Sequence, residues 1–146
     1  MRVRPFEAAD WAEWLRMGLA LFPHHAPEEL EADMRVFRAR ADAAIFVAVR
    51  PDGTACGYVE AGSRPYADGC RASPVGYIEA WYVDPDGRLL GYGRALLEAA
   101  EAWAREAGYR EMASDALPEN VESQRAHERS GYAEVGRIVQ FCKLLG

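Results

Sequence analysis

Apolar residues along the chain alternate between helical spacing and short unbroken runs. Trp11, Trp14, Leu15, Gly18 and Leu19 share one face at the i, i+3, i+4, i+7 interval, which predicts a helix over 7–20 stopped by Pro23. Pro27-Glu28-Glu29 reads as the start of a second helix, with proline in the first turn and acids at the positive end of the dipole. Leu30, Met34, Phe37 and Ala41 form its expected buried stripe. Ala44–Val49 is a strand-like run, Pro51-Asp52-Gly53 is turn chemistry, and 55–61 returns as the hairpin partner. A polar loop over 64–74 precedes a central strand at Val75–Val83, which Asp84-Pro85-Asp86-Gly87 closes. Helical spacing resumes over 90–107, where Leu96, Ala100, Trp103 and Ala107 line up and Gly108 supplies the stop. A strand over 110–115, a helix over 118–129 and closing strands at 131–135 and 137–144 complete the pattern, with 2–4 as an edge strand. This order predicts one domain, 1–146, of the α/β (α+β) class, a mixed sheet covered by about four helices.

Composition agrees with a single globular domain: of 146 residues, 50% are hydrophobic and 27% charged, which excludes disorder and coiled coil. No apolar run approaches the roughly 20 residues of a membrane span, and the N-terminal residues lack a signal peptide's apolar stretch. Three cysteines (Cys56, Cys70, Cys142) are odd in number and form no CxxC, so a disulfide framework is not expected and the cytoplasm is. With 17 Lys+Arg against 23 Asp+Glu the net charge is −6. That balance argues against nucleic acid and suits a cationic ligand, though it also serves solubility alone.

Arg88-Leu89-Leu90-Gly91-Tyr92-Gly93 joins the central strand to the next helix. Glycines let backbone N–H groups approach a ligand, and a helix N-terminus carries about half a positive charge, so the segment suits phosphate or pyrophosphate. It is neither a Walker loop nor a GxGxxG fingerprint, and on spacing alone a structural turn and an anion site stand level. Glu79 lies inside an otherwise apolar strand, an unfavourable place for an unpaired charge. Asp115 ends another strand, where side chains open onto clefts, and Glu119 or Glu134 would complete an acidic pocket. Taken singly, each is equally readable as a solvated edge residue. His24 and His25 are adjacent and lack ligand spacing, so no metal is expected.

Strand, Asp84-Pro85, R-x-x-G-x-G over 88–93 and an amphipathic helix resemble in succession the acetyl-CoA signature of the GNAT N-acetyltransferase superfamily. Asn120, Ser123, His127, Gly131 and Tyr132 match that superfamily's N-x-x-[small]-x-x-x-Y-x-x-x-G-[aromatic] spacing, with His127 where tyrosine is usual. Glu111-Met112-Ala113-Ser114-Asp115, Pro118-Glu119-Asn120 and Ser123-Gln124 are similar to the aminoglycoside 6′-N-acetyltransferase branch. So are Leu21-Phe22-Pro23-His24-His25 and Tyr66-Ala67-Asp68-Gly69-Cys70, and the likeness runs through nearly the whole chain. The resemblance implies a GNAT-like mixed, mostly antiparallel central sheet whose two parallel strands splay to admit acetyl-CoA. It assigns Trp81, Tyr82 and Val83 to the pantetheine and thioester, the Val83 N–H being the donor that polarises the thioester carbonyl. Arg88, Leu89, Leu90, Gly91, Tyr92, Gly93 and Arg94 would cradle the pyrophosphate, with Asn120 also on the cofactor. Phe22, His25, Tyr66, Glu79, Asp115 and Glu134 would line a site for a small cationic amine, an aminoglycoside.

A carboxylate is a weak base toward an ammonium that titrates several units higher, so Asp115 is expected to position the amine and pass its proton through water. Neighbouring ammonium groups on the substrate lower each other's pKa. No cysteine has a base beside it in sequence, so direct transfer in a ternary complex is expected rather than an acyl-enzyme. His127 is readable as donor to the departing thiolate or as a helix-surface residue. Phe22 replaces the branch's usual tryptophan, Gly136 its glutamate, and Phe141-Cys142 a more polar tail. Those departures leave two alternatives open: a GNAT enzyme for another small polyamine, and a non-catalytic acyl-CoA sensor. The branch's members are usually dimers whose closing strands are exchanged or packed between protomers, and Ile138–Phe141 with Leu144-Leu145 are apolar enough for a covered edge. A homodimer is expected, with neither nucleic acid nor membrane as partner.

Overall fold

The computed structural model describes residues 2–146, with Met1 outside them, and these fall into two compact units that divide between Asp115 and Ala116. In the first unit, strands β1 (Arg2–Pro5), β2 (Ala44–Val49), β3 (Ala55–Arg64), β4 (Val75–Val83) and β5 (Met112–Ala113) lie side by side in chain order. Every pairing is antiparallel except β4 with β5. Helices α1 (Trp11–Leu21) and α2 (Pro27–Ala39) separate β1 from β2, and α3 (Tyr92–Glu106) separates β4 from β5.

The expected first helix begins later than its spacing suggests. Residues 8–10 form a 3-10 turn because buried Asp10 is held from two sides. Arg4 grips its carboxylate at 2.7 and 2.9 Å and the Glu7 N–H donates at 2.8 Å, tying β1 to the start of α1. The second helix starts at Pro27 as expected and ends at Ala39, so Ala41 falls outside it, exposed. Its remaining stripe, Leu30, Met34 and Phe37, is buried with Trp14 and Met17 of α1 against Val47, Tyr58, Ala80 and Tyr82 of the sheet. On the opposite face α3 inserts Leu96, Leu97, Ala100 and Ala104. Trp103 and Ala107, expected in that stripe, are half-buried and exposed respectively. Gly57 marks the closeness of this packing, since a Cβ there would stand 3.2 Å from Leu96.

Two strand boundaries differ from the sequence pattern. β3 continues to Arg64 rather than stopping at 61, and β5 shrinks to two residues where 110–115 were expected. In the second unit, α4 (Val121–Arg129) starts three residues after the expected 118, capped by Asn120, whose Oδ1 accepts from the Ser123 N–H at 3.1 Å. Gly131 ends it in a left-handed conformation (φ 93°). The two closing strands at 131–135 and 137–144 do not form. A strand exists only where its N–H and C=O groups meet a second strand, and among the described residues these meet none. Ile138, Val139, Phe141, Leu144 and Leu145 are left exposed.

Candidate active site

β4 carries the site. It pairs with β3 from Val75 to Val83 but with β5 only at Gly76 and Tyr77, so from Ile78 onward its far edge faces no strand. The Asp84 N–H donates to the Cys56 carbonyl at 2.7 Å, which makes the Gly57–Val83 pair the kind without mutual hydrogen bonds. The Val83 N–H therefore turns away from β3, to the open edge. A backbone donor held there costs no reorganisation when charge develops on an acyl oxygen.

Asp84, which the residue pattern marks only as a strand stop, fixes the end of this strand. Arg16 reaches it at 3.1 and 3.0 Å, Arg50 at 3.1 Å and the Tyr82 hydroxyl at 3.0 Å. Burial pushes the Asp84 carboxyl up, but these donors outweigh it and hold the group below the usual carboxylate range. Arg50 also bonds Asp86 at 2.7 Å, pinning the 85–87 turn. Next along the chain, Leu89 (φ 62°) and Gly91 (φ 93°) both adopt left-handed backbone. Such residues orient successive N–H groups into an anion-binding concavity, and no side chain caps the first turn of α3 behind them. Leu89 and Leu90 are exposed and, among the described residues, Arg94 reaches only the exposed Glu98, so the concavity is backbone-built. Arg88 donates from Nε to the Val83 carbonyl at 2.9 Å, joining this loop to the strand end.

The side chains of Trp81, Tyr82 and Tyr92 are committed to packing, so a ligand would meet them through backbone. Trp81 Nε1 donates to the Gly93 carbonyl at 3.0 Å, and a Cβ at Gly93 would lie 3.2 Å from the Trp81 ring. Tyr82 and Tyr92 are buried.

Of the expected acceptor residues, Glu79 and Asp115 are linked to one another. Glu79 is the extra residue of a β-bulge: Ala61 pairs with Ile78 and Glu60 with Ala80, leaving Glu79 unmatched and its side chain re-aimed. It is not an unpaired charge. Arg64 binds it with Nε at 3.0 Å and Nη2 at 2.5 and 3.1 Å, and the same guanidinium lies 3.5 Å above the Tyr77 ring centroid. The Tyr77 hydroxyl donates to Asp115 at 2.5 Å. Burial first, then that carboxylate, pushes the phenol up from its ordinary value. Asp115 and Glu79 are thus brought together through Tyr77 and Arg64, neither of which the residue pattern singles out. Phe22 packs at the rim of the α1–α2 core, with the exposed His25 ring edge-on to it at 5.4 Å. Tyr66, also exposed, donates to Asp68 at 2.6 Å.

In the second unit, Asn120 commits its oxygen to the helix cap. His127 Nδ1 donates to the Ser123 carbonyl at 2.7 Å, and its ring meets Tyr132 edge-on at 5.8 Å. With Nδ1 carrying that proton, only the imidazolium form has a second N–H to give. Glu134 is bound by Arg137 at 2.5 Å, which holds its carboxyl below the usual range. No described helix is long and apolar enough to cross a membrane, and no described cluster of His, Cys, Asp and Glu could hold a metal.

Comparison with known proteins places these features in context. The sequence profile of the acetyltransferase (GNAT) family matches residues 8–132. The aminoglycoside N(6′)-acetyltransferase type 1 of Klebsiella aerogenes is 41% identical over 146 residues, 98% of this chain and 96% of its own. The apo crystal structure of an aminoglycoside 6′-N-acetyltransferase from Acinetobacter haemolyticus superposes with a TM-score of 0.91 at 31% identity, covering 100% of both chains. A further 6′-N-acetyltransferase, solved with the bisubstrate analogue CoA-S-monomethyl-acetylneamine, gives 0.90 at 33% identity over 98% of this chain and 97% of its own.

Proposed function

The chain belongs to the acetyltransferase (GNAT) family, and from that membership we propose that it moves an acetyl group from acetyl-CoA to the 6′-amine of an aminoglycoside. The observation that carries the reading is the pairing of an open β4 edge, with the Val83 N–H turned toward it, and two linked carboxylates, Glu79 and Asp115. Acetyl-CoA supplies the activated acyl group, and the residues present fit it. Leu89, Gly91 and the uncapped first turn of α3 suit its pyrophosphate, and the edge from Trp81 to Val83 suits an extended amide-bearing arm.

In this reading Glu79 and Asp115 hold ammonium groups, and Asp115 passes the reacting amine's proton to water while Tyr77 fixes its orientation. The free amine attacks the thioester carbon, the Val83 N–H stabilises the oxyanion, and the C–S bond breaks to leave the amide and a thiolate, which takes up a proton. Direct transfer is favoured over a cysteinyl intermediate because burial pushes both the Cys56 and Cys70 thiols up, away from the nucleophilic thiolate form. Family membership supports three further proposed roles for residues of the second unit: His127 as donor to the departing thiolate, Asn120 on the cofactor and Glu134 on the acceptor.

One GNAT domain is proposed for 1–146, supported by a family match that crosses residue 115 without interruption. A homodimer is supported by the exposed apolar side chains between 138 and 145. Three unpaired cysteines suit the reducing cytoplasm. Transfer of label from acetyl-CoA to a matched pair of aminoglycosides, one with a 6′-amine and one with a 6′-hydroxyl, tests the function. Product from the amine alone is expected; product from neither, with acetyl-CoA bound, overturns the acceptor assignment.

A further inference from the structure

Beneath Glu79 lies a second carboxylate that the reaction described above does not use. Glu60 stands on β3 opposite Ala80, beside the bulge that displaces Glu79, and points to the face of the sheet covered by α1. Glu60 is half-buried: Trp14 Nε1 donates to its Oε2 at 3.0 Å, and no described residue bonds its other oxygen, which is left to solvent. Two residues earlier on the same strand face, Tyr58 is fully buried, and among the described residues its hydroxyl has no partner. A buried phenol and a half-buried carboxyl are thus set along one strand face, and among the described residues neither is fully satisfied. The groups facing Glu60 are Trp14 from α1, Tyr58 from its own strand and Glu79 from β4, with Arg64 beyond Glu79. Among the described residues no cation touches it. Carboxylates partly withdrawn from water are normally paired with a cation; this one instead neighbours Glu79, whose own cation is Arg64.

We propose that Glu60 is a further acidic group of the acceptor site, one layer beneath Glu79, which releases a proton to solvent when a polycationic acceptor docks and recovers it when the product leaves. The proposal rests on the acceptor reading given above. In the free protein the carboxyl is stabilised in its neutral form by burial and by Glu79. Additional ammonium groups brought to Glu79 and Asp115 reverse the sign of the local field and favour the carboxylate, which then adds to the attraction holding the acceptor. The O–H bond of Glu60 breaks on binding, the proton passes to solvent, and no redox partner is involved. Burial, the larger cause, and Glu79 push the free Glu60 carboxyl up to about 7, so it is poised to exchange a proton near neutrality.

Calorimetric titration of the whole protein with neamine at pH 7, in two buffers of different ionisation enthalpy, counts the protons released. About half a proton per neamine is expected from Glu60, since a carboxyl titrating at about 7 is half protonated there. In Glu60→Gln, which keeps the Trp14 hydrogen bond, the count should fall by that amount, and the acceptor KM should rise on the order of fivefold at pH 8 while converging with the parent at pH 6. A purely structural role would move neither the proton count nor the pH dependence of KM. Carboxyl-selective ¹³C NMR of the unsubstituted protein gives an independent reading that needs no variant: a titration step near neutrality should move down when neamine is added. Binding of neamine with the same proton count in both proteins, or with no shifted carboxyl, overturns the proposal and leaves the acetyltransferase reading intact. No binding or acetylation of neamine overturns both.

Discussion

Glu79 and Glu60 show what a single residue type can and cannot reveal. Both are acids inside apolar strands, and the reasoning that flags one applies equally to the other; only the bulge distinguishes the re-aimed Glu79 from the inward Glu60. Arg64 and Tyr77 left no trace in the sequence, because a guanidinium lying over a ring is a relation between a strand end and its neighbour that spacing does not encode. Asp115→Asn should lower kcat about 100-fold if the carboxylate handles the amine's proton, measured under saturating acceptor. Tyr77→Phe should act on the same step more weakly, since it removes a hydrogen bond that orients the base. Stability supplies a separate test at Glu60. A carboxyl whose pKa is raised by folding, to about 7, binds more protons folded than unfolded between its two pKa values, so its contribution favours folding below that window and is lost as pH rises through it. Glu60→Gln should therefore unfold at a higher temperature than the parent at pH 8, by an amount equivalent to about 1–3 kcal/mol, and at the same temperature near pH 4.

At the level of elements, periodicity identified every helix and the first four strands, with α2, β2 and β4 beginning where expected. It overestimated β5 and the two closing strands because strand formation depends on a partner, a non-local condition, whereas a helix satisfies its own backbone. The shortness of β5 leaves β4 half unpaired, and the proposed cofactor site rests on that open edge. Asp84 determines where that open edge ends, and its removal tests the link between architecture and cofactor. Asp84→Asn should cost about 2–3 kcal/mol by chemical denaturation, less than a fully buried pair because Arg16 is half exposed. It should also weaken acetyl-CoA binding, since Val83 and the 85–87 turn lose their anchor. Because the Asp84 carboxyl is held low by its donors, its contribution is present above the ordinary aspartate range and disappears as pH falls through the depressed value. Acid unfolding of the parent should accordingly be steeper than that of the variant.

For the molecule as a whole, sedimentation at micromolar concentration should show a species of twice 16.2 kDa, and removal of the residues after 136 should shift it toward the monomer. The net charge of −6 draws cations of every kind, and raising salt from about 0.01 to 0.15 M, which shortens the screening length to about 8 Å, should raise the acceptor KM more than that for acetyl-CoA. Bulk attraction does not choose among cations; in the proposed acceptor site, Arg64 would. Tethered at the end of β3, opposite Val75, its guanidinium reaches Glu79 and competes for that carboxylate at an effective concentration in the millimolar range or above. A dilute monoamine cannot displace a competitor that never diffuses away, whereas a ligand that delivers several ammonium groups at once brings a comparable local concentration of its own. If Glu79 receives ammonium groups as proposed, the resting ion pair would act as a valency filter, selecting by the number of charges a molecule carries rather than by the presence of charge.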